Sequence, residues 1–223
     1  MRNRFDRQLQ LLEEQLTHMG ELCEVAIANA TKALSEGNVQ QAQAVIAADE
    51  EIDQMEKDIE RLCLKLLLQQ QPVATDLRRI SAALKMITDM ERIGDQTSDI
   101  AEIVSTAREN QKVDVEEIST MATAVSKMVR DSVTAYVTKD LELAKNVILA
   151  DDIVDEYFEE IKEKMIQYIK DEQGEHGKHI FNLIMVTKYL ERIGDHATNI
   201  AEWVEFSITG VHRIGKVPKS NEE

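Results

Sequence analysis

Places to turn are scarce in this chain, and that scarcity constrains its fold more than any other feature. Of 223 residues only two are Pro and eight are Gly, and Pro72 is the one proline before the C-terminal tail. An all-β domain needs turn residues every ~8–12 positions. Here stretches of thirty residues and more pass without one, which leaves a few long helices as the available fold. Aromatics are 4% of the chain and apolar residues 43%, so the core must be built mainly from Leu, Ile, Val, Ala and Met.

Periodicity places the helices. Leu9, Leu12, Leu16, Met19, Leu22, Ala26 and Ala30 recur at spacings of three and four, the stripe of a helix buried along one face. This first helix is predicted from Phe5 to Ser35. Gly37 ends it, and Asn38 with Gln41 three residues on reads as the cap of the next. The second helix runs to Gln70, where Pro72 breaks the pattern, and the third from Ala74 to Arg108. Asp114 with Glu117 reads as a capping box opening a fourth, which ends near Thr138. Asp140 caps a fifth that runs to Lys170. The stretch "DEQGEHG", residues 171–177, is a turn, and a sixth helix runs to Ser207. The fold class is all-α, with helices of roughly 25 to 35 residues, or about 40 to 50 Å.

The six helices are written as three and then three more. "ERIGDQTSDIAE" at 91–102 returns as "ERIGDHATNIAE" at 191–202, identical at eight of twelve positions. "AADEEID" at 47–53 returns as "LADDIVD" at 149–155, with an offset of 102 instead of 100. The two residues lost between these points fall most simply in a turn, where length changes are tolerated. Helices have many equivalent ways of being amphipathic, so five consecutive identical residues point to a repeat. The predicted organisation is a bundle over 1–111, a second over 112–210 and a polar tail over 211–223.

What repeats is acidic. At 100° per residue, Glu91, Asp95, Asp99 and Glu102 share an arc of about 80°, with Ile93, Ile100 and Val104 on the opposite, core side. Asp is a poor residue for a helix interior, and like charges four apart destabilise a helix by a few tenths of a kcal/mol per pair. The second helix carries a matching stripe of Asp49, Asp53, Glu56 and Glu60. The second repeat has Asp151 and Asp155, then Glu191, Asp195, Asn199 and Glu202. In an antiparallel hairpin, facing residues share a midpoint. Asp53 with Glu91, and Asp49 with Asp95, share position 72, the predicted turn. Asp155 with Glu191, and Asp151 with Asp195, share 173, inside the other turn. Carboxylates brought together in this way either raise their pKa values or hold cations.

Hard oxygen donors suit Mg, Ca, Mn or iron. A solvated acidic face is the plainer reading of any one stripe; two stripes in register, twice, favour metal. The residues lie on helices and not in a twelve-residue loop, which excludes an EF-hand. No Glu-x-x-His lies on these helices, which excludes a ferritin-like di-iron site. His196 falls about 100° off the stripe and is expected to be a surface or supporting residue. Met86, Met90, Met121 and Met128 are expected in the core.

The net charge of −16 repels nucleic acid and anionic membranes. The charged N-terminus has no apolar core of a signal peptide, and no apolar run approaches the ~18 residues of a spanning helix. Cys23 and Cys63 fall at apolar helical positions and are expected to be reduced core residues.

These residues resemble the PhoU family of phosphate-uptake regulators. The resemblance rests on both twelve-residue phrases, on the paired Asp49/Asp53 and Asp151/Asp155, and on "QQPVATDLRRI" at 70–80, in the family's order over essentially the whole chain. It implies two tandem three-helix bundles with multinuclear metal clusters at the paired carboxylates. The ligands it implies are Asp49, Asp53, Glu91 and Asp95, with Asp99 added, and then Asp151, Asp155, Glu191 and Asp195. Asn199, the counterpart of Asp99, would offer a neutral oxygen, so the two sites would differ. The metal it implies is iron, Mn, Zn or Mg. It implies a cytoplasmic adaptor and not a catalyst, recruited peripherally to a membrane transporter complex without inserting into the bilayer or touching nucleic acid. Such an adaptor links the ATPase subunit of the phosphate ABC transporter to a sensor histidine kinase, negatively regulates phosphate uptake and the starvation response, and is often a homodimer. The competing readings are a carboxylate-bridged metal-dependent hydrolase or oxidase, and a metal-free helical scaffold.

Overall fold

The computed structural model describes residues 2–69, 72–106, 116–171 and 176–211. Six helices carry them: α1 (Arg2–Glu36), α2 (Val39–Gln69), α3 (Ala74–Thr106), α4 (Glu116–Thr138), α5 (Leu141–Asp171) and α6 (Gly177–Thr209). The described helices match the expected six to within three residues at every end that can be compared. The expected ends at Gln70 and Arg108, the capping residue Asp114, the 111/112 boundary and the tail beyond Val211 lie outside the described residues.

The first connection shows why the turns fall where they do. Gly37 adopts φ 62°, the left-handed conformation that glycine takes without a Cβ penalty. The Asn38 N–H then reaches back to the Ala33 carbonyl at 2.9 Å, closing α1 in the manner of a Schellman turn. The Asn38 side chain accepts the Gln41 N–H at 3.0 Å, opening α2 as its N-cap. The reciprocal half of the expected capping box is not made, because the Gln41 amide reaches Asn29 on α1 instead. The second repeat builds the same turn at an offset of 102. Lys139 has φ 58°, the Asp140 N–H reaches the Ala135 carbonyl at 3.0 Å, and Asp140 caps the Leu143 N–H.

Within each repeat the three helices pack on one another, α1 with α2 and α3, and α4 with α5 and α6. The α1 stripe is buried at Leu9, Leu12, Leu16, Met19, Cys23, Ile27 and Ala30. Leu22 and Ala26 pack against its edge, because a 3.6-residue helix drifts relative to spacings of three and four. Both cysteines are free and buried, and burial pushes their thiols up to about 12. Met86, Met90, Met121 and Met128 are core residues.

The two bundles are not beads on a string. Among the described residues α3 packs on α6, across the repeats, as extensively as on α2 within its own bundle, and α1 also packs on α4. At the α1–α4 crossing a Cβ on Gly20 would lie 3.2 Å from Val133 Cγ2. None of the described helices is long and apolar enough to cross a membrane.

Candidate metal centre

The first carboxylate site follows from how α3 returns from Pro72 alongside α2. Ile52 and Ile59 of α2, with Ile93, Ile100 and Val104 of α3, are buried, which turns the acidic sides of both helices to one groove. The register is visible at Thr88, whose hydroxyl donates to Glu56 Oε1 at 3.5 Å; that pair also has its midpoint at 72. Asp49, the innermost carboxylate, is pushed up to about 6, first by burial and then by the charges of Asp95, Asp53 and Asp99. Burial also raises Glu91, with Asp95, Glu56 and Asp53 adding to it, and Asp95, with Asp53 adding. Asp99 is raised by burial, Glu102 and Asp95. Of the five residues expected to converge here, Asp49, Glu91, Asp95 and Asp99 are raised in part by neighbouring carboxylates, Asp53 among those neighbours, and Glu56 is raised with them.

Gly94 makes room for this. A Cβ there would stand 2.6 Å from Asp49 Oδ1 and 3.1 Å from Ile52 Cδ1. The first copy of the repeated phrase therefore carries glycine where the Asp49 carboxylate of α2 lies against the α3 backbone. Asp49 Oδ1 is itself buried with no hydrogen-bond partner, a condition that is costly for a carboxylate oxygen unless a cation or proton meets it. The donor set fits a hard cation. As the side chains stand, however, no three Asp, Glu, His or Cys among the described residues converge on a common point to hold an ion, so binding would require carboxylates to turn inward.

The second site is built on the same frame with different charges. Gly194 takes the place of Gly94, and a Cβ there would lie 3.2 Å from Val154 Cγ1, the equivalent of Ile52. Asp151 is buried at 6% exposure, and Asp155 is half-buried on the same helix. Where the first repeat has Glu56 and Thr88, the second has Phe158 and Lys188. The Lys188 ammonium lies 5.1 Å from the centre of the Phe158 ring and 2.5 Å from Glu191 Oε2. A carboxylate is thus replaced by a ring, and a fixed cation takes up Glu191. The second site fits a metal less well than the first.

Two expected ligands also border the seam between the repeats. Asn199 donates its amide to Asp89 Oδ1 at 3.3 Å, across the α3–α6 seam. Asp195 lines a cleft on that seam with Arg92, Gln96, Arg192, His196 and Asn199. His196, expected as a surface or supporting residue, is half-buried at the seam, and its partner was not foreseen. Its Nδ1 lies 2.9 Å from Asp89 Oδ1, and Asp89 is buried at 7% exposure. The signal for Asp89 was available: with Met86, Met90 and Ile93 it lies on the apolar row of α3, where a carboxylate demands a partner.

Comparison with known proteins agrees with this architecture. A family model described as the PhoU domain matches the chain twice, over residues 16–104 and 118–204. A phosphate-specific transport system accessory protein PhoU homolog from Clostridium acetobutylicum is 36% identical over 208 residues, covering 92% of this chain and 94% of that protein. The homolog from Aquifex aeolicus is 38% identical over 187 residues, covering 83% and 84%. The crystal structure of PhoU from Pseudomonas aeruginosa superposes with a TM-score of 0.87 at 32% identity, covering 93% of this chain and all of that one. The phosphate transport system regulatory protein PhoU from Streptococcus pneumoniae superposes equally well at 27% identity.

Proposed function

Because the chain belongs to the PhoU family, as an accessory protein of a phosphate transport system and not an enzyme, we propose that it is a metal-binding regulatory adaptor. In this reading it couples the ATPase subunit of a phosphate ABC transporter to a sensor histidine kinase in the cytoplasm. It restrains phosphate uptake and the phosphate-starvation response when phosphate is plentiful, and it works as a homodimer.

The observation that carries the metal part is the buried, partnerless Asp49 oxygen at the centre of a groove of mutually repelling carboxylates. Asp49 and Asp53 of α2 and Glu91, Asp95 and Asp99 of α3 would hold the ions at the first site. Asp151, Asp155, Glu191 and Asp195 would supply the second, with Lys188 lowering its demand for cation charge. A bound hard cation would supply the positive charge that these carboxylates lack. The protein's own part is to hold α2 and α3 at the spacing set by Gly94, so that ion occupancy stiffens the hairpin and fixes the surface it offers to partners.

The test is the metal content of untagged protein beside the double variant Asp95→Asn, Asp195→Asn. Stoichiometric iron, Mn, Zn or Mg that falls in the variant supports the reading. Deleting the gene should then derepress starvation genes in phosphate-rich medium. The absence of any preformed three-ligand centre among the described residues favours a second reading, a metal-free helical scaffold. It predicts no bound metal after reconstitution, and a double variant more stable than the parent because repulsion is removed.

A further inference from the structure

The cleft between α3 and α6 is built on the axis that relates the two repeats. The helices run antiparallel there, and contacting residues such as Asp89 and Asn199 share a midpoint at position 144. The repeat offset of 100 maps Arg92 onto Arg192 and Gln96 onto His196. The same midpoint sets Arg92 level with His196 and Gln96 level with Arg192. An Arg and a polar nitrogen- or oxygen-bearing side chain therefore approach the cleft from each side, related by a pseudo-twofold axis. All four residues line it, with Asp195 and Asn199 completing the wall, around an open volume of about 490 Å³.

These two arginines are not held by a carboxylate as several others are. Arg61, Arg79 and Arg130 each have a carboxylate partner, Asp58, Glu13 and Glu24. So does Lys127, in the groove between α1 and α4 that also holds Arg130. Among the described residues neither Arg92 nor Arg192 has an ion pair, although the chain carries 42 acidic residues against 26 basic ones. Gln96 Oε1 is buried without a hydrogen-bond partner, so its amide is not anchored by a neighbour. His196 is anchored by Asp89 through Nδ1, which leaves Nε2 to accept from a proton-bearing oxygen of an anion in the cleft. Asp195 is the single carboxylate in the lining, opposed by two guanidiniums.

We propose that this cleft binds one tetrahedral oxyanion per chain, gripped by Arg92 and Arg192 from opposite sides of the pseudo-twofold axis, with Gln96 and His196 as polar partners. Guanidinium forks match the paired oxygens of such an anion, and a tetrahedral anion itself has twofold axes, so each half of the site can make equivalent contacts. Inorganic phosphate and sulfate share this chemistry. The site is independent of the metal reading, because its ligands are cations that need no bound ion to attract an anion. The carboxylates Asp95 and Asp99 lie close enough to feel His196 and Arg92, and Arg192, respectively, so a cation at the first site would strengthen the grip.

Calorimetric titration of the full chain with phosphate, and separately with sulfate, at constant ionic strength tests this with and without Mg²⁺. Saturable binding with one anion per chain is expected. Arg92→Gln or Arg192→Gln should weaken it by about tenfold to a hundredfold, the range for a lost charged hydrogen bond. Arg92→Lys should weaken it less, and melting temperatures should change little because both side chains are exposed. A preference between the two anions assigns the source. No saturation by either anion in either condition overturns the proposal. So does binding that survives in the double variant Arg92→Gln, Arg192→Gln but disappears in Asp95→Asn, since that anion would be held by metal and not by arginine.

Discussion

Asp49 carries the main tension in the molecule. Its carboxyl is held near 6 by burial and by three neighbouring carboxylates, whereas in the unfolded chain it titrates near 3.8. Between those values the native state binds more protons than the unfolded state, so stability falls as pH rises through the window. Glu56, Glu91, Asp95 and Asp99 are shifted in the same direction. Metal-free protein is expected to lose resistance to urea from about pH 4 to about pH 6, measured as a falling midpoint with unchanged slope. Asp49→Asn should flatten that fall and raise the midpoint at neutral pH. Gly94→Ala separates packing from charge at the same spot. The alanine gains about 1 kcal/mol of helix propensity but drives its Cβ against Asp49 Oδ1 and Ile52. Stability is expected to stay within about 1 kcal/mol of the parent, while divalent-cation affinity, read by titration calorimetry, drops because the carboxylate is displaced. Gly194→Ala meets only Val154 and Val125 side chains and should leave cation binding nearly unchanged.

At the scale of elements, the two αL turns are one design written with different residues. Gly37 accepts φ 62° at no steric cost, whereas Lys139 holds φ 58° against the ~1–2 kcal/mol that a Cβ imposes in this region. Lys139 is exposed, so Lys139→Gly should relieve that strain and stabilise the protein. The gain is about 0.5–1 kcal/mol once the extra freedom of glycine in the unfolded chain is subtracted, measured by urea unfolding. The same turn shows what could be read before the fold was seen. Asn38 and Asp140 announce caps because their side chains can do little else at that point in the pattern, and both caps form. The hairpin register was legible because a helix has a fixed rise, so Pro72 placed Asp49, Asp53, Glu91 and Asp95 level before any contact was known. What stayed hidden were features that depend on a second element's side chains. Lys188 beside Glu191 and Phe158 is invisible from one stripe alone, and Gly94 looks like a weak point in a helix until Asp49 is seen against it.

The whole molecule is organised around the seam between repeats, and that seam was the least legible part. A repeat in sequence says that two bundles exist, and says nothing of which faces they share. The apolar rows of α3 and α6 serve three neighbours each, two within the bundle and one across it, so their pattern cannot assign a partner. Asp89 is the polar staple of that seam, receiving His196 Nδ1 and the Asn199 amide together. Its pseudo-symmetric counterpart is Tyr189, whose hydroxyl is raised by burial and by the Asp99 charge. The carboxylate has changed sides between the two ends of the seam. Removing it with Asp89→Ala would leave both donors unpaired at a buried site, a loss of about 1–3 kcal/mol. The form of that loss depends on how the repeats share stability. Because α3 packs on α6 across the repeats as extensively as on its own bundle, the parent should unfold in one urea transition, with the slowest amide exchange in the middle of these two helices. Asp89→Ala should shift that single transition to lower urea with its slope retained. A variant that instead melts in two steps, one repeat before the other, would show that the bundles are stable apart and that the seam serves to orient them.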